Sequence, residues 1–202
     1  KAVNLKADFM GLTRNIEQVK HQKMLQLEEK WVITISTQGG CSMNCSFCDV
    51  PKVGPGKNAT LNDLIKQLET GLSLHPEVKR RGHLNVHFAR MGEPTWNDAV
   101  PTSAILMVNL AQSLGHKLHP VVSTMMPKRN DSLYDFIERW MEIKNELCKG
   151  NAGLQLSINS TDENEREKMF SGNALSLSEI AKVMSLCPTP IGRKITLNFA
   201  VA

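Results

Sequence analysis

Five strand-like runs alternate with four helix-like ones along this chain, and that rhythm limits its fold more than any other feature. "WVITIS" from Trp31 opens the series with compact, β-branched residues suited to a buried strand. "TLNDLIKQLETGLSLH" follows, with Thr60 as a helix N-cap and Leu64, Ile65 and Leu68 on one face. "HLNVHFA", "LHPVVST", "GLQLSIN" and "KITLNFAVA" read as the further strands. Between them stand three more helices. "PTSAILMVNLAQSLGH" tolerates Pro101 in its first turn and stops near Gly115. "DSLYDFIERWMEIKNELC" is capped by Asp131 or Ser132, and "SLSEIAKVMSLC" leads into the last strand. These spacings fit βαβ units and predict an α/β protein with mostly parallel strands and outer helices, as a barrel, a partial barrel or an open sheet. Active sites in such folds gather at the carboxyl ends of the strands.

A chain of 202 residues suffices for one domain with a substantial core. Residues 31–202 are expected to form it, behind an N-terminal lead-in over 1–30 where Ile16, Val19, Met24 and Leu27 recur at helix-like intervals. The closing apolar run ends without a cap, so the core is expected to continue beyond Ala202. No apolar run approaches the roughly 20 residues needed to span a bilayer, and no signal-peptide core opens the chain. A cytoplasmic, membrane-free protein is expected. A net charge of +4 permits a nucleic-acid partner without requiring one. The short basic clusters at Lys79–Arg81, Lys128–Arg129 and Arg193–Lys194 read, each alone, as solvated surface.

The loop after the first strand, "QGGCSMNCSFCDV", places Cys41, Cys45 and Cys48 in a C-x₃-C-x₂-C spacing. The count of five cysteines is odd, and three are packed together, which is unlike a secreted disulfide framework. Structural zinc commonly takes paired C-x₂-C units, and no second pair is visible. Cys148 and Cys187 sit at helix ends and read as small hydrophobes, while the histidines show no ligand spacing. Three thiolates in a tight loop suit an iron–sulfur cluster with one iron left open to a small chelating molecule.

That spacing, with Phe47 before the third cysteine, resembles the C-x₃-C-x-Φ-C signature of the radical S-adenosylmethionine (SAM) superfamily. The loop after the second strand supports the likeness, because Gly92, Glu93 and Pro94 match the superfamily's Gly-Glu-Pro contact to the SAM amino group. The resemblance implies a 4Fe-4S cluster on the three cysteines and SAM chelated to its open iron. It also implies a one-electron donor such as a flavodoxin or ferredoxin, and reductive cleavage to a 5′-deoxyadenosyl radical. Physically, Gly92 permits close backbone approach, Glu93 or nearby carbonyls accept from an ammonium, and Pro94 stiffens the turn.

From about Trp31 onward the chain resembles the RlmN/Cfr-type RNA adenine methyltransferases more narrowly. Gln38, Gly40, Gly54, Asn58, Met91, Gly92, Glu93, Pro94 and Asn97 occupy that family's motif positions. By the same carry-over Ser123 and Ser157 help hold SAM, and Asn159 stands where the family has histidine. Two departures concern the reaction. Thr34 replaces the cysteine that the family places seven residues before the first cluster cysteine, and the family's methyl-carrying cysteine lies in a segment beyond the last barrel strands. A threonine hydroxyl is far less acidic than a thiol and cannot serve as the same base. The fold and cofactors therefore carry over better than the methyl transfer. RNA or a nucleotide is the family-level substrate. A radical enzyme acting on a metabolite or peptide, and a cluster- or SAM-binding module without turnover, are the competing expectations.

Overall fold

The computed structural model describes residues 27–78 and 83–199. Within them β1 (Lys30–Ile35), β4 (His83–Phe88), β5 (Lys117–Thr124), β6 (Gly153–Asn159) and β7 (Thr196–Phe199) lie side by side in that order. Every neighbouring pair is parallel. A small antiparallel ribbon, β2 (Gln38–Gly39) against β3 (Lys57–Asn58), projects beyond the end of β1. The helices are α1 (Leu61–Ser73), α2 (Ala99–Ser113), α3 (Leu133–Glu142), α4 (Glu163–Met169) and α5 (Leu177–Leu186). The expected α/β class, an open parallel sheet compatible with a partial radical SAM barrel, is what the chain adopts.

Strand periodicity of two explains the layering. Ile33 and Ile35 on β1, Leu84, Val86 and Phe88 on β4, and Leu154, Leu156 and Ile158 on β6 are buried. They share one core with Leu64 and Leu68 of α1, Met107 of α2 and Ile137 and Trp140 of α3. Trp140 is fully buried, edge-on to Phe88 at 6.0 Å and stacked on Phe136 at 6.5 Å. Its indole N–H donates to the Gly153 carbonyl at 3.0 Å. Burying such side chains contributes roughly 1.5–3 kcal/mol each. The intervening residues, Thr34, Asn85, His87, His119, Ser123, Gln155, Ser157 and Asn198, share the opposite, inner face of the sheet by register.

Local signals account for most element ends. Thr60 and Ser176 each form a capping box, with Asp63 and Glu179 respectively. The expected 131–148 helix is shorter: α3 begins after Ser132, whose side chain makes no cap bond, and gives way to a π turn at Ile143–Leu147. The wider turn accompanies a Lys144 that is fully buried, with its ammonium donating to the carbonyls of Gly150 and Ile191. No heptad or capping signal marks that turn. The lead-in expected over residues 1–30 lies almost wholly outside the described residues, as do the Lys79–Arg81 cluster and the end of the last strand.

Cys148, expected as a small buried hydrophobe, is buried where the π turn ends. Burial pushes its thiol up from 9.0 to about 11, against the pull of Lys144. A thiol raised in the fold favours folding while neutral, so its contribution is whole below pH 9 and is lost as pH climbs to 11. Denaturant midpoints of the metal-free protein should therefore fall across that window. Cys148→Ala should remove about 2–3 kcal/mol of the pH-dependent loss.

Candidate active site at the carboxyl edge of the sheet

The cysteine loop leaves β1 and is fixed at once to the loop after β4. Thr37 and Gln38 both donate their N–H groups to the Met91 carbonyl, at 2.9 and 3.2 Å. The buried Gln38 amide accepts from the Glu93 N–H at 3.0 Å and donates to Asn58 Oδ1 at 2.7 Å. Gly92 has φ +92, and a Cβ there would stand 2.6 Å from the Gln38 side chain. Only glycine allows both that backbone angle and that approach. Asn97 completes the junction: its amide donates to the carbonyls of Thr37 at 2.7 Å and Ala59 at 2.9 Å, and its oxygen accepts from the Ala99 N–H.

Glu93 is 2% exposed, and both of its carboxylate oxygens accept from protein donors. Oε1 accepts from the Thr95 N–H, the Thr95 hydroxyl and, at 2.6 Å, the Thr124 hydroxyl, while Oε2 accepts from the Met125 N–H at 2.9 Å. Burial pushes its carboxyl above the usual range, and these bonds pull it back only in part. The side chain thus ties the Gly-Glu-Pro turn to the end of β5. Pro94 is buried at the start of a single 3₁₀ turn, Pro94–Trp96.

The three loop cysteines are free thiols that act on one another electrostatically. Cys45 is buried and Cys41 and Cys48 half-buried. Burial pushes Cys41 up and Cys45 up to about 12, with the neighbouring thiols and Glu93 adding in the same direction. The N–H groups of Met43 and Gly92 aim at Cys41 and oppose the rise. Among the described residues no three His, Cys, Asp or Glu side chains stand close enough to hold one metal ion. A cubane cluster asks for a wider triangle, because each sulfur binds a different iron. Three soft sulfur donors on one loop match such a cluster in donor chemistry.

A second apolar cluster packs round the loop: Met43, Cys45, Phe170 and Ala174, with Trp96, Met125 and Met169 at its margin. The turn after α4 clasps the loop from the far side. Ser46 donates its N–H to Met169 O at 2.9 Å, Ser171 its hydroxyl to Asn44 O at 2.7 Å, and Asn173 its amide to Met43 O at 3.1 Å. Buried Arg166 holds that turn, donating to Ile158 O and Leu175 O and lying 5.3 Å over the Phe170 ring. Sequence reasoning missed Arg166, Thr95 and Thr124, since an arginine in an acidic helix and threonines near strand ends carry no distinguishing pattern.

The expected SAM contacts meet at this edge unevenly. Phe47 is 54% exposed, with its ring edge-on to Phe170 at 6.0 Å. Met91 is half-buried and contributes its carbonyl to the junction. Ser123 and Ser157 lie on the inner face, where the Ser123 hydroxyl donates to Gln155 at 2.7 Å. Asn159 ends β6 in the left-handed region, φ 63, beside a bulge in the pairing with β7. Thr34 is exposed on the inner face of β1. Of the basic clusters, Lys128 and Arg129 follow β5 on the cysteine edge, with Lys128 paired to Glu167 at 3.3 Å. Arg193 and Lys194 precede β7, toward the opposite edge.

The parallel α/β sheet thus carries a three-cysteine loop docked on a Gly-Glu-Pro turn at its carboxyl edge. The curated proteins it is similar to are RNA methyltransferases. The chain is 28% identical over 186 residues to the dual-specificity RNA methyltransferase RlmN 2 of Myxococcus xanthus, covering 86% of this chain and 44% of that protein. It is 24% identical over 185 residues to the dual-specificity RNA methyltransferase RlmN of a Sulfurovum species, covering 91% and 46%. A probable enzyme of the same name from Clostridium acetobutylicum is 28% identical over 173 residues, covering 84% and 45%. The chain thus spans less than half the length of these relatives. No family model matches it, and no solved structure matches it.

Because Glu93 saturates four protein donors, Glu93→Ala should cost about 2–4 kcal/mol of stability by stranding buried N–H and hydroxyl groups. Glu93→Gln should cost about 1–3 kcal/mol, since one acceptor becomes a donor facing donors. Urea denaturation of both variants measures the difference. A loss below 0.5 kcal/mol for Glu93→Ala would contradict the bonding described.

Proposed function

We propose that residues 31–202 form the core of a radical SAM enzyme that modifies RNA. Cys41, Cys45 and Cys48 would hold a 4Fe-4S cluster, and Phe47, Met91, Gly92, Glu93, Pro94, Asn97, Ser123, Ser157 and Asn159 would build the place for SAM. Bound there, the cluster supplies the electron that breaks a carbon–sulfur bond of SAM and so opens radical chemistry. The observation that carries this reading is the docking of the cysteine loop on Gly92 through Gln38, which sets the thiols beside the Gly-Glu-Pro turn.

The chain's own residues do the rest. Burial keeps Cys45 protonated in the metal-free state, so loading the site releases protons and favours assembly at higher pH. The Met43 and Gly92 N–H groups stabilise the thiolate at Cys41 once it forms. Met43, Phe170, Ala174 and Trp96 pack against the cysteine loop and limit water beside it. Free thiols of this kind suit a reducing compartment such as the cytoplasm, with a flavodoxin- or ferredoxin-like donor as reductant. Among the described residues no helix is long and apolar enough to cross a membrane.

RNA as substrate comes from the relatives' activity, and Lys128 and Arg129 on the cysteine edge suit a phosphate backbone. Methyl transfer by the relatives' route is the weaker part of the likeness. Thr34 offers an exposed hydroxyl where a thiol base would be needed, which favours a different outcome after the same initiation, on RNA or on a smaller substrate.

Anaerobic reconstitution should give iron and the broad visible absorbance of a 4Fe-4S cluster, and dithionite with SAM should yield 5′-deoxyadenosine. Cys45→Ala should lower that yield at least a hundredfold, and chelating the iron should abolish it. A loaded cluster that leaves SAM intact would overturn the enzymatic reading. Mass spectrometry of RNA nucleosides and small metabolites from cells with and without the protein separates the substrate classes.

A further inference from the structure

The inner face of the sheet carries a positive site away from the cysteine loop. Thr34, His87, Val121 and Gly153 stand in one row across β1, β4, β5 and β6. The guanidinium of Arg193 lies over this row: a Cβ on Gly153 would come within 3.0 Å of both Arg193 Nη1 and Val121 Cγ1. Among the described residues Arg193 is exposed and enters none of the ion pairs. Burial first, and among the described residues the positive Arg193 and Lys30, hold the His87 imidazole below the usual range. Lys144, beneath the same segment, also feels Arg193, and among the described residues no carboxylate acts on it. Glu29, beside Lys30, already has an interaction of its own.

The backbone that presents Arg193 is built for the purpose. Its N–H donates to the Gly150 carbonyl at 2.9 Å. Gly150, with φ +83, sits so close that a Cβ would stand 2.6 Å from Ile191 O. The buried Lys144 ammonium bridges the Gly150 and Ile191 carbonyls. Asn145 donates to Thr189 O at 3.0 Å and accepts from the Ile191 N–H at 2.9 Å. The segment is thus anchored along its length, and among the described residues no carboxylate is paired with the guanidinium it directs over the sheet. Positive groups gathered without a counter-charge repel one another, and a fork of guanidinium donors matches phosphate oxygens.

We propose that Arg193, with Lys30 and His87, forms an anion subsite on the inner face of the sheet that takes a phosphate group of a nucleotide substrate. The subsite lies two residues, about 6.7 Å of strand, toward the amino edge from the Ser123–Gln155 pair. A nucleotide held there extends its other end toward the cysteine loop. The identity of the anion as part of the substrate rests on the radical SAM reading, whereas the site itself does not.

The test is a titration of the protein with inorganic phosphate, followed by NMR of the His87 ring, with chloride at matched ionic strength as control. Phosphate should shift the His87 signals saturably and raise the pH of its titration midpoint. Arg193→Gln should weaken binding at least tenfold, Arg193→Lys should weaken it less than Arg193→Gln does, and Lys66→Gln, on exposed α1, should change nothing. Adenosine monophosphate should perturb His87 as phosphate does, and adenosine should not. No saturable shift, equal binding by Arg193→Gln, or equal perturbation by adenosine would overturn the site. Thermal unfolding of each variant confirms that it is folded. SAM cleavage in the same samples keeps the two readings apart. Phosphate binding without cleavage would uphold the subsite and sink the radical reading, and cleavage without phosphate binding would do the reverse.

Discussion

The contact between Gly92 and Gln38 governs the cysteine edge. At the end of β1 the chain must leave a parallel sheet, and its next amides have no strand partner. Thr37 and Gln38 direct theirs to Met91 O, and the Gln38 side chain reciprocates through Glu93 N–H. That exchange is possible only because Gly92 has no Cβ to strike Gln38. Two loops from adjacent strands thereby become one rigid platform. Asn97 and Asn58 extend it to the start of α1 and to Trp96, so the ribbon β2–β3, the 3₁₀ turn and the cysteine loop share a single hydrogen-bonded frame.

On that platform the protein brings together groups that water would otherwise keep apart. A carboxyl that is 2% exposed and three partly or wholly buried thiols lie within electrostatic reach of one another. Without metal, burial favours the neutral forms of Glu93, Cys41 and Cys45, so the arrangement is tolerable but poised to bind positive charge. The clasp from the turn after α4 adds rigidity where the loop has no secondary structure of its own. Arg166 anchors that clasp to β6, which links the cysteine loop to the far side of the sheet.

The two faces of the sheet serve different ends. The helix-facing residues make a dense apolar core, which Trp140 joins to the backbone of β6. The inner face is polar from Thr34 to Asn198 and is lined at one level by Ser123 and Gln155, at another by His87 and Arg193. Among the described residues the core helices pack on the apolar face, and Asn85 and His119 on the polar face are also buried.

Strand and helix order, the parallel class and the capping residues Thr60 and Ser176 were legible in the sequence because each depends on periodicity or on a neighbour three residues away. So were the three cysteines and the Gly-Glu-Pro turn, since contiguous motifs survive any fold. The sequence did not disclose the π turn around Lys144, the inward commitment of Glu93, or the clasp held by Arg166. Those depend on partners 6 to 130 residues distant. Nor could it show that Arg193 reaches over Gly153, 40 positions earlier in the chain. Local chemistry decided which elements form and what the cysteine loop could bind. Only packing decided which buried groups would satisfy one another and which would be left facing a ligand, because that choice belongs to distances the chain acquires on folding.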